Sequence, residues 1–166
     1  MAAAKAVVVV ASNRASTGVY EDTTGPLIVE ALTTWGFDVD PPVVVGDGAP
    51  VGEAIAAAIA AGAAVVLTTG GTGINPTDRT PEVTGPLLDR QLPGVAEALR
   101  AYGVAHGVPT AMLSRGLAGV AGSTIVINLP GSRGGVKDGL AVLADVVPHA
   151  VDQLAGGDHP GVGGGS

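Results

Sequence analysis

Cysteine is missing from this chain. That absence removes disulfides, zinc–thiolate sites and a thiol nucleophile together. Aromatic residues are scarce: one Trp, one Phe and two Tyr in 166 residues. The core must therefore be assembled from small and β-branched side chains, within a hydrophobic content of 46%. Basic residues are few, 8 Lys and Arg against 15 Asp and Glu, for a net charge of −7. With no basic stripe, nucleic acid is excluded as a partner. Long apolar runs are also lacking. The longest, residues 54–67, is interrupted by Gly62 and is too short to cross a bilayer. A single lysine precedes a short apolar run near the N-terminus, without the h-region of a signal peptide. The expectation is a soluble cytoplasmic protein with no membrane partner, one domain over residues 1–155 and a disordered glycine-rich tail over 156–166.

What the chain does have is glycine, concentrated after strand-like segments. Residues 64–67, Ala-Val-Val-Leu, read as a buried strand. They empty into Thr68-Thr69-Gly70-Gly71-Thr72-Gly73, and Thr80-Pro81-Glu82 then reads as a helix start, with a hydroxyl cap, proline at the first helical position and an acid in the first turn. Glycine lets a ligand approach the backbone, so that successive N–H groups converge on an anion. The bland reading is a tight strand-to-helix connection; the functional one is a phosphate site at the carboxyl edge of a parallel sheet. The spacing is neither that of a P-loop nor that of a dinucleotide fold. Asp78, inside the loop, has no apolar packing role, and a carboxylate beside phosphates points to a hard divalent cation.

The rest of the chain alternates in kind. Residues 6–11 form a first strand, ending in the polar Ser12-Asn13-Arg14, which is either an ordinary turn or a set of ligand contacts. Asp22 reads as a cap for a helix that carries Trp35 as a core anchor and ends at Gly36. Residues 37–45, with Pro41 and Pro42, suit an edge strand. Asp47 follows, either as part of an Asp-Gly turn or as a second acid for the same cation. Helices are expected over 50–62, 80–88 and 93–105, the last followed by His106 as a dipole partner. Strand 124–129 leads into Pro130-Gly131-Ser132, a second glycine loop, and a helix that Pro148 breaks or kinks. Lys137 near its start opposes the helix dipole, which a bound phosphate would explain. This alternation gives an open α/β domain with a mostly parallel sheet.

Four blocks carry a resemblance: Ser12-Asn13-Arg14-Ala15-Ser16 with Asp22; Thr68 to Gly73 with Asp78-Arg79-Thr80-Pro81-Glu82; Ala111-Met112-Leu113-Ser114-Arg115; and Asn128-Leu129-Pro130-Gly131. In their order they resemble the MogA/MoaB family of molybdenum cofactor biosynthesis. The resemblance implies a three-layer α/β sandwich and a Mg²⁺-dependent adenylyltransferase acting on molybdopterin and ATP, with pyrophosphate released. It implies that Asp47 and Asp78 are catalytic and hold the metal. It implies that Ser12, Asn13, Arg14, Thr69, Gly70, Gly71, Thr72, Gly73, Thr80, Glu82, Ser114, Arg115, Asn128, Pro130, Gly131 and Ser132 line the substrate pocket. It further implies a homotrimer or hexamer and hand-over of product to a molybdenum insertase. A non-catalytic molybdopterin-binding or scaffold paralogue is the alternative. One departure stands out: position 13, often Asp in the family, is Asn here and brings no negative charge.

Overall fold

The computed structural model describes residues 2–157. β-Branched residues set its centre. Strands β1 (Lys5–Ala11), β4 (Val65–Thr69) and β7 (Thr124–Leu129) lie side by side in parallel, with β4 in the middle. Successive side chains of a strand point to opposite faces, so an unbroken apolar run requires cover on both. Val8, Val10, Leu67, Ile125, Ile127 and Leu129 pack on one side against Ile28 and Leu32 of α2 (Gly25–Thr34), Val136 and Leu143 of α6 (Arg133–Leu143) and Val147 of α7 (Val147–Leu154). Val9, Ala11, Val66 and Val126 pack on the other against Val51, Ile55 and Ala58 of α3 (Ala49–Ala60). The result is helices, sheet, helices: the expected three layers. Among the described residues no helix is long and apolar enough to cross a membrane.

The sheet order is β2-β1-β4-β7-β6-β5, with β3 also on β1. The expected edge strand 37–45 is split. Its pieces, β2 (Asp38–Val39) and β3 (Val43–Val45), pair in parallel with the two ends of β1, and the prolines between them interrupt the ladder. The far edge was not foreseen. β6 (Ala118–Ala121) turns through Gly122, at φ +59°, to run antiparallel to β7, and β5 (Arg90–Gln91) pairs with β6. Alanine and glycine give β6 no β-propensity signal. Gly119 is needed there, since a Cβ would stand 2.5 Å from the Arg90 carbonyl oxygen.

Helix 80–88 is also corrected. It is a short α4 (Thr80–Thr84) followed by a 3-10 turn, Gly85–Leu87, because Pro86 has no N–H to continue the ladder. Before β6, α5 (Pro93–Ala105) is followed by a second 3-10 turn, Pro109–Leu113. Pro148 does not kink a helix; it sits in the first turn of α7, where its missing N–H costs nothing. Gly156 and Gly157, placed in the tail from sequence, donate their N–H groups to the Gln153 and Asp152 carbonyls and close α7. Residues 158–166 of the expected tail lie outside the described residues.

This topology positions a site. Ala11 is in register with Val45, Val10 with Thr69, and Thr69 with Leu129. The loops after β1, β3, β4 and β7 therefore leave the sheet together at its carboxyl edge, where open α/β sheets place their ligands.

Candidate functional site

The loop after β4 turns on two consecutive left-handed glycines, Gly70 at φ +92° and Gly71 at φ +68°. The carbonyls of Gly70, Gly71, Thr72 and Gly73 are all taken. Thr80 donates its hydroxyl to the Gly70 oxygen (2.9 Å) and its N–H to that of Gly71 (3.0 Å). Arg115 donates its N–H to the Thr72 oxygen (2.8 Å) and its Nε–H to that of Gly73 (2.9 Å). The N–H groups of Gly71, Thr72 and Gly73, by contrast, find no acceptor among the described residues. A loop with its acceptors tied back and its donors left over is built to meet an anion. Thr80 is thus not the helix cap expected from sequence; Arg79 holds that position, and the buried Thr80 hydroxyl shapes the loop.

The second glycine loop is stitched to the first. Thr69 donates its hydroxyl to the Pro130 carbonyl (2.7 Å), and a Cβ on Gly131 would come within 3.2 Å of Gly70 Cα. Ser132 caps α6 by accepting the Gly135 N–H (3.0 Å). Lys137 is exposed and does not line the cleft that these loops border.

Asp47 and Asp78 flank the same turn. A Cβ on Gly71 would stand 3.2 Å from Asp47 Oδ1, and one on Gly73 would stand 2.8 Å from Asp78 Oδ2. Asp78 Oδ2 accepts the Asn75 N–H (3.0 Å), which curls the loop around it. Burial first, and the charge of Asp78 second, push the Asp47 carboxyl above the ordinary carboxylate range, partly offset by a backbone hydrogen bond at Asn13. Asn13 in turn accepts the Asp47 N–H through Oδ1 (2.9 Å). An amide holds the Asp47 turn without adding a third negative charge.

Two half-buried carboxylates are hard oxygen donors of the kind a divalent cation would take, and Asp47 and Asp78 are the residues that would hold it. Among the described residues no cluster of three or more potential ligands forms a complete metal cage. The repulsion also has a cost. With its carboxyl pKa raised, ionised Asp47 destabilises the fold above that pKa, and the penalty disappears as pH falls below the unfolded value. Asp47→Asn should therefore stabilise the metal-free protein at neutral pH, by less than about 1 kcal/mol because solvent screens the pair. Urea unfolding at pH 7 and at pH 3 checks this, since the gain should vanish below the unfolded carboxyl pKa.

The remaining expected residues divide in two. Gly71, Thr72, Gly73, Asp78, Ser114, Asn128, Pro130, Gly131 and Ser132 line one cleft of about 810 Å³, which is open to solvent and of a size for a small-molecule ligand. Ser12, Asn13, Arg14, Asp47, Thr69, Gly70, Thr80, Glu82 and Arg115 do not line it. Ser12 caps a one-turn helix, α1 (Asn13–Ser16), by accepting the Ala15 N–H, while Arg14 lies 5.3 Å over the Tyr20 ring. Asn128 lines the cleft but spends its amide internally. Its Oδ1 accepts the Leu117 N–H, and its Nδ2 donates to the Thr68 and Thr84 hydroxyls. Arg115 and Glu82 form an ion pair at 2.7 Å; the guanidinium's hydrogen bonds hold the Glu82 carboxyl below its usual range.

Two charged residues of the cleft were not found from sequence, Arg100 and Asp138. A signal existed for the first. Ala96, Leu99, Arg100 and Gly103 recur at helical spacing, and all four line the cleft.

Fold and site together define a three-layer α/β domain with a donor-rich glycine loop, an open cleft and paired acids at the carboxyl edge of its sheet. Residues 7–149 match the family model described as "Probable molybdopterin binding domain", and the chain belongs to that family. It is 42% identical over 155 residues to the molybdenum cofactor biosynthesis bifunctional protein of Synechococcus elongatus, covering 93% of this chain and 48% of that protein. It is 36% identical to the molybdopterin adenylyltransferase of Helicobacter pylori, covering 88% of this chain and 85% of the relative. The solved Mog protein of Mycobacterium ulcerans superposes with a TM-score of 0.88 at 52% identity, over 94% of this chain and 99% of that one. The chain spans about half the length of the bifunctional relative and most of the length of the other two.

Proposed function

We propose that this protein is a molybdopterin adenylyltransferase of molybdenum cofactor biosynthesis. An oxygen of the molybdopterin phosphate attacks the α-phosphorus of ATP, the bond to the β-phosphate breaks, and pyrophosphate leaves. The observation that carries this reading is the surplus of N–H donors at Gly71, Thr72 and Gly73, in a cleft with Asp78 in its wall. Bringing two anions together calls for positioning and charge neutralisation rather than a covalent nucleophile. The loop amides would supply donors to phosphate oxygens, and Asp47 and Asp78 would hold Mg²⁺. What Mg²⁺ would supply there is neutralisation of phosphate charge, including that of the leaving pyrophosphate.

The test is direct. Protein incubated with ATP, MgCl₂ and molybdopterin should yield adenylylated molybdopterin and pyrophosphate in equal amounts. Tight molybdopterin binding without product would overturn the enzyme and leave the non-catalytic binding module. A homotrimer is part of the same proposal. It is supported by the resemblance and by exposed apolar side chains at Val104, Val108, Met112 and Leu113. Light scattering should then give three times the chain mass of 16.0 kDa; a monomer at micromolar concentration would refute it. Hand-over of the product to a molybdenum insertase is proposed on the same resemblance.

A further inference from the structure

All three guanidinium nitrogens of Arg115 donate to the protein. Nε donates to the Gly73 carbonyl (2.9 Å), one terminal nitrogen to the Asp78 carbonyl (3.2 Å), and the other to both Glu82 oxygens (2.9 and 2.7 Å). Its backbone N–H adds a bond to the Thr72 carbonyl (2.8 Å). These acceptors bracket the acid-bearing loop from its start to its end and anchor it to α4. The arginine's own segment is fastened from behind, where Arg100 donates to the carbonyls on either side of it, Ser114 (3.3 Å) and Gly116 (3.1 Å). Arg115 is also not among the residues that line the cleft.

We infer that Arg115 is a positioning residue and not a contact for an anionic substrate: it holds the 73–78 loop closed so that Asp78 and the free N–H groups keep one geometry. The reason lies in what it removes. Left free, the carbonyls of Gly73 and Asp78 would compete with the N–H groups for the inner face of the loop and present negative dipoles to a phosphate. A planar fork can satisfy carbonyls and a carboxylate at once, and an ammonium cannot. That the restrained loop serves a Mg²⁺–phosphate site rests on the proposed function; that Arg115 restrains it does not.

The test uses Arg115→Lys, Arg115→Met and Glu82→Gln in the full chain without substrates. Amide exchange is followed at Asn75, Asp78 and Thr80, whose N–H groups are protected by bonds within the loop. Both Arg115 variants should exchange there about ten-fold faster or more, with β1 and β7 unchanged, and Glu82→Gln should show a smaller increase at the same amides. Lys should not rescue. In turnover, kcat should fall about ten-fold or more in both Arg115 variants while the KM for molybdopterin stays within about two-fold. A cation that touches substrate predicts the opposite: exchange as in the wild type, a raised KM, and substantial recovery with Lys. Wild-type exchange in Arg115→Lys would overturn the inference whether or not the protein adenylylates anything. An inactive wild type with a loosened loop in the variants would overturn only the proposed function.

Discussion

Asp78→Asn should lower adenylyl transfer by about three orders of magnitude while the protein still unfolds cooperatively near the wild-type temperature. The structure separates the two effects. Asp78 accepts the Asn75 N–H through Oδ2, and an amide oxygen can accept the same bond, so the loop keeps its shape. What is lost is a negative charge beside Asp47, in the wall of the cleft that the Gly71–Gly73 donors share. Removing it also relieves Asp47, whose carboxyl pKa should return toward the ordinary range. The variant is then at least as stable as the wild type at neutral pH and nearly inert. Steady-state turnover with saturating substrates, alongside thermal melting, checks both halves. Activity near wild type would remove Asp78 from the reaction.

Gly70→Ala has the largest expected effect on stability, a loss of about 3 kcal/mol or more. The position requires glycine twice over. Its φ of +92° strains any L side chain, and a Cβ would lie 2.3 Å from the Ala11 carbonyl oxygen at the end of β1. Neither strand can give way, because β1 and β4 are paired up to this level and Gly70 donates its N–H to the Leu129 carbonyl. Gly94→Ala is the control. It lies in α5 with nothing within 4 Å of its Cβ, and should be neutral or stabilising by up to about 1 kcal/mol. Unfolding free energies from urea titration should differ between the two variants by about 3 kcal/mol or more, with the midpoint lowered only for Gly70→Ala. Gly71→Val belongs with Gly70. From sequence it reads as a lesion of binding more than of folding, but its Cβ would meet the Thr80 hydroxyl at 2.4 Å and break the bond that shapes the loop. Binding and folding should fall together.

How much of this was legible in the sequence follows from how local each signal is. Strands β1, β4 and β7 announced themselves, because a strand covered on both faces needs an unbroken apolar run. The glycine loops were legible from composition: only glycine takes the φ values of Gly70 and Gly71, and Gly131 approaches Gly70 too closely for a side chain. Strand β6 was hidden, since Ala118 to Ala121 is held by its partners rather than by its own propensity. The candidate residues were found as types and places, but not as roles. Asn13 seating the Asp47 turn, Asn128 spending its amide on Leu117, Thr68 and Thr84, and Arg115 binding four residues of the 72–82 segment are contacts between residues far apart in the chain. No motif spacing encodes them. Arg100 and Asp138 escaped because a charged residue on a helix has an ordinary explanation until the cleft it borders is seen.

The central claim is that Asp47 and Asp78 serve one cation at the flank of a donor-rich glycine loop. The measurement that tests it most directly is a double-variant cycle on turnover, with molybdopterin affinity measured in parallel. Wild type, Asp47→Asn, Asp78→Asn and the double variant would each be assayed over a range of Mg²⁺ concentrations. If the acids share one ion, either single change removes most of its effect. The double variant should then be scarcely slower than the slower single one, with molybdopterin affinity nearly unchanged throughout. Losses that multiply, each acid costing its own factor in the presence of the other's change, would show that the two carboxylates do separate jobs and would contradict the shared site.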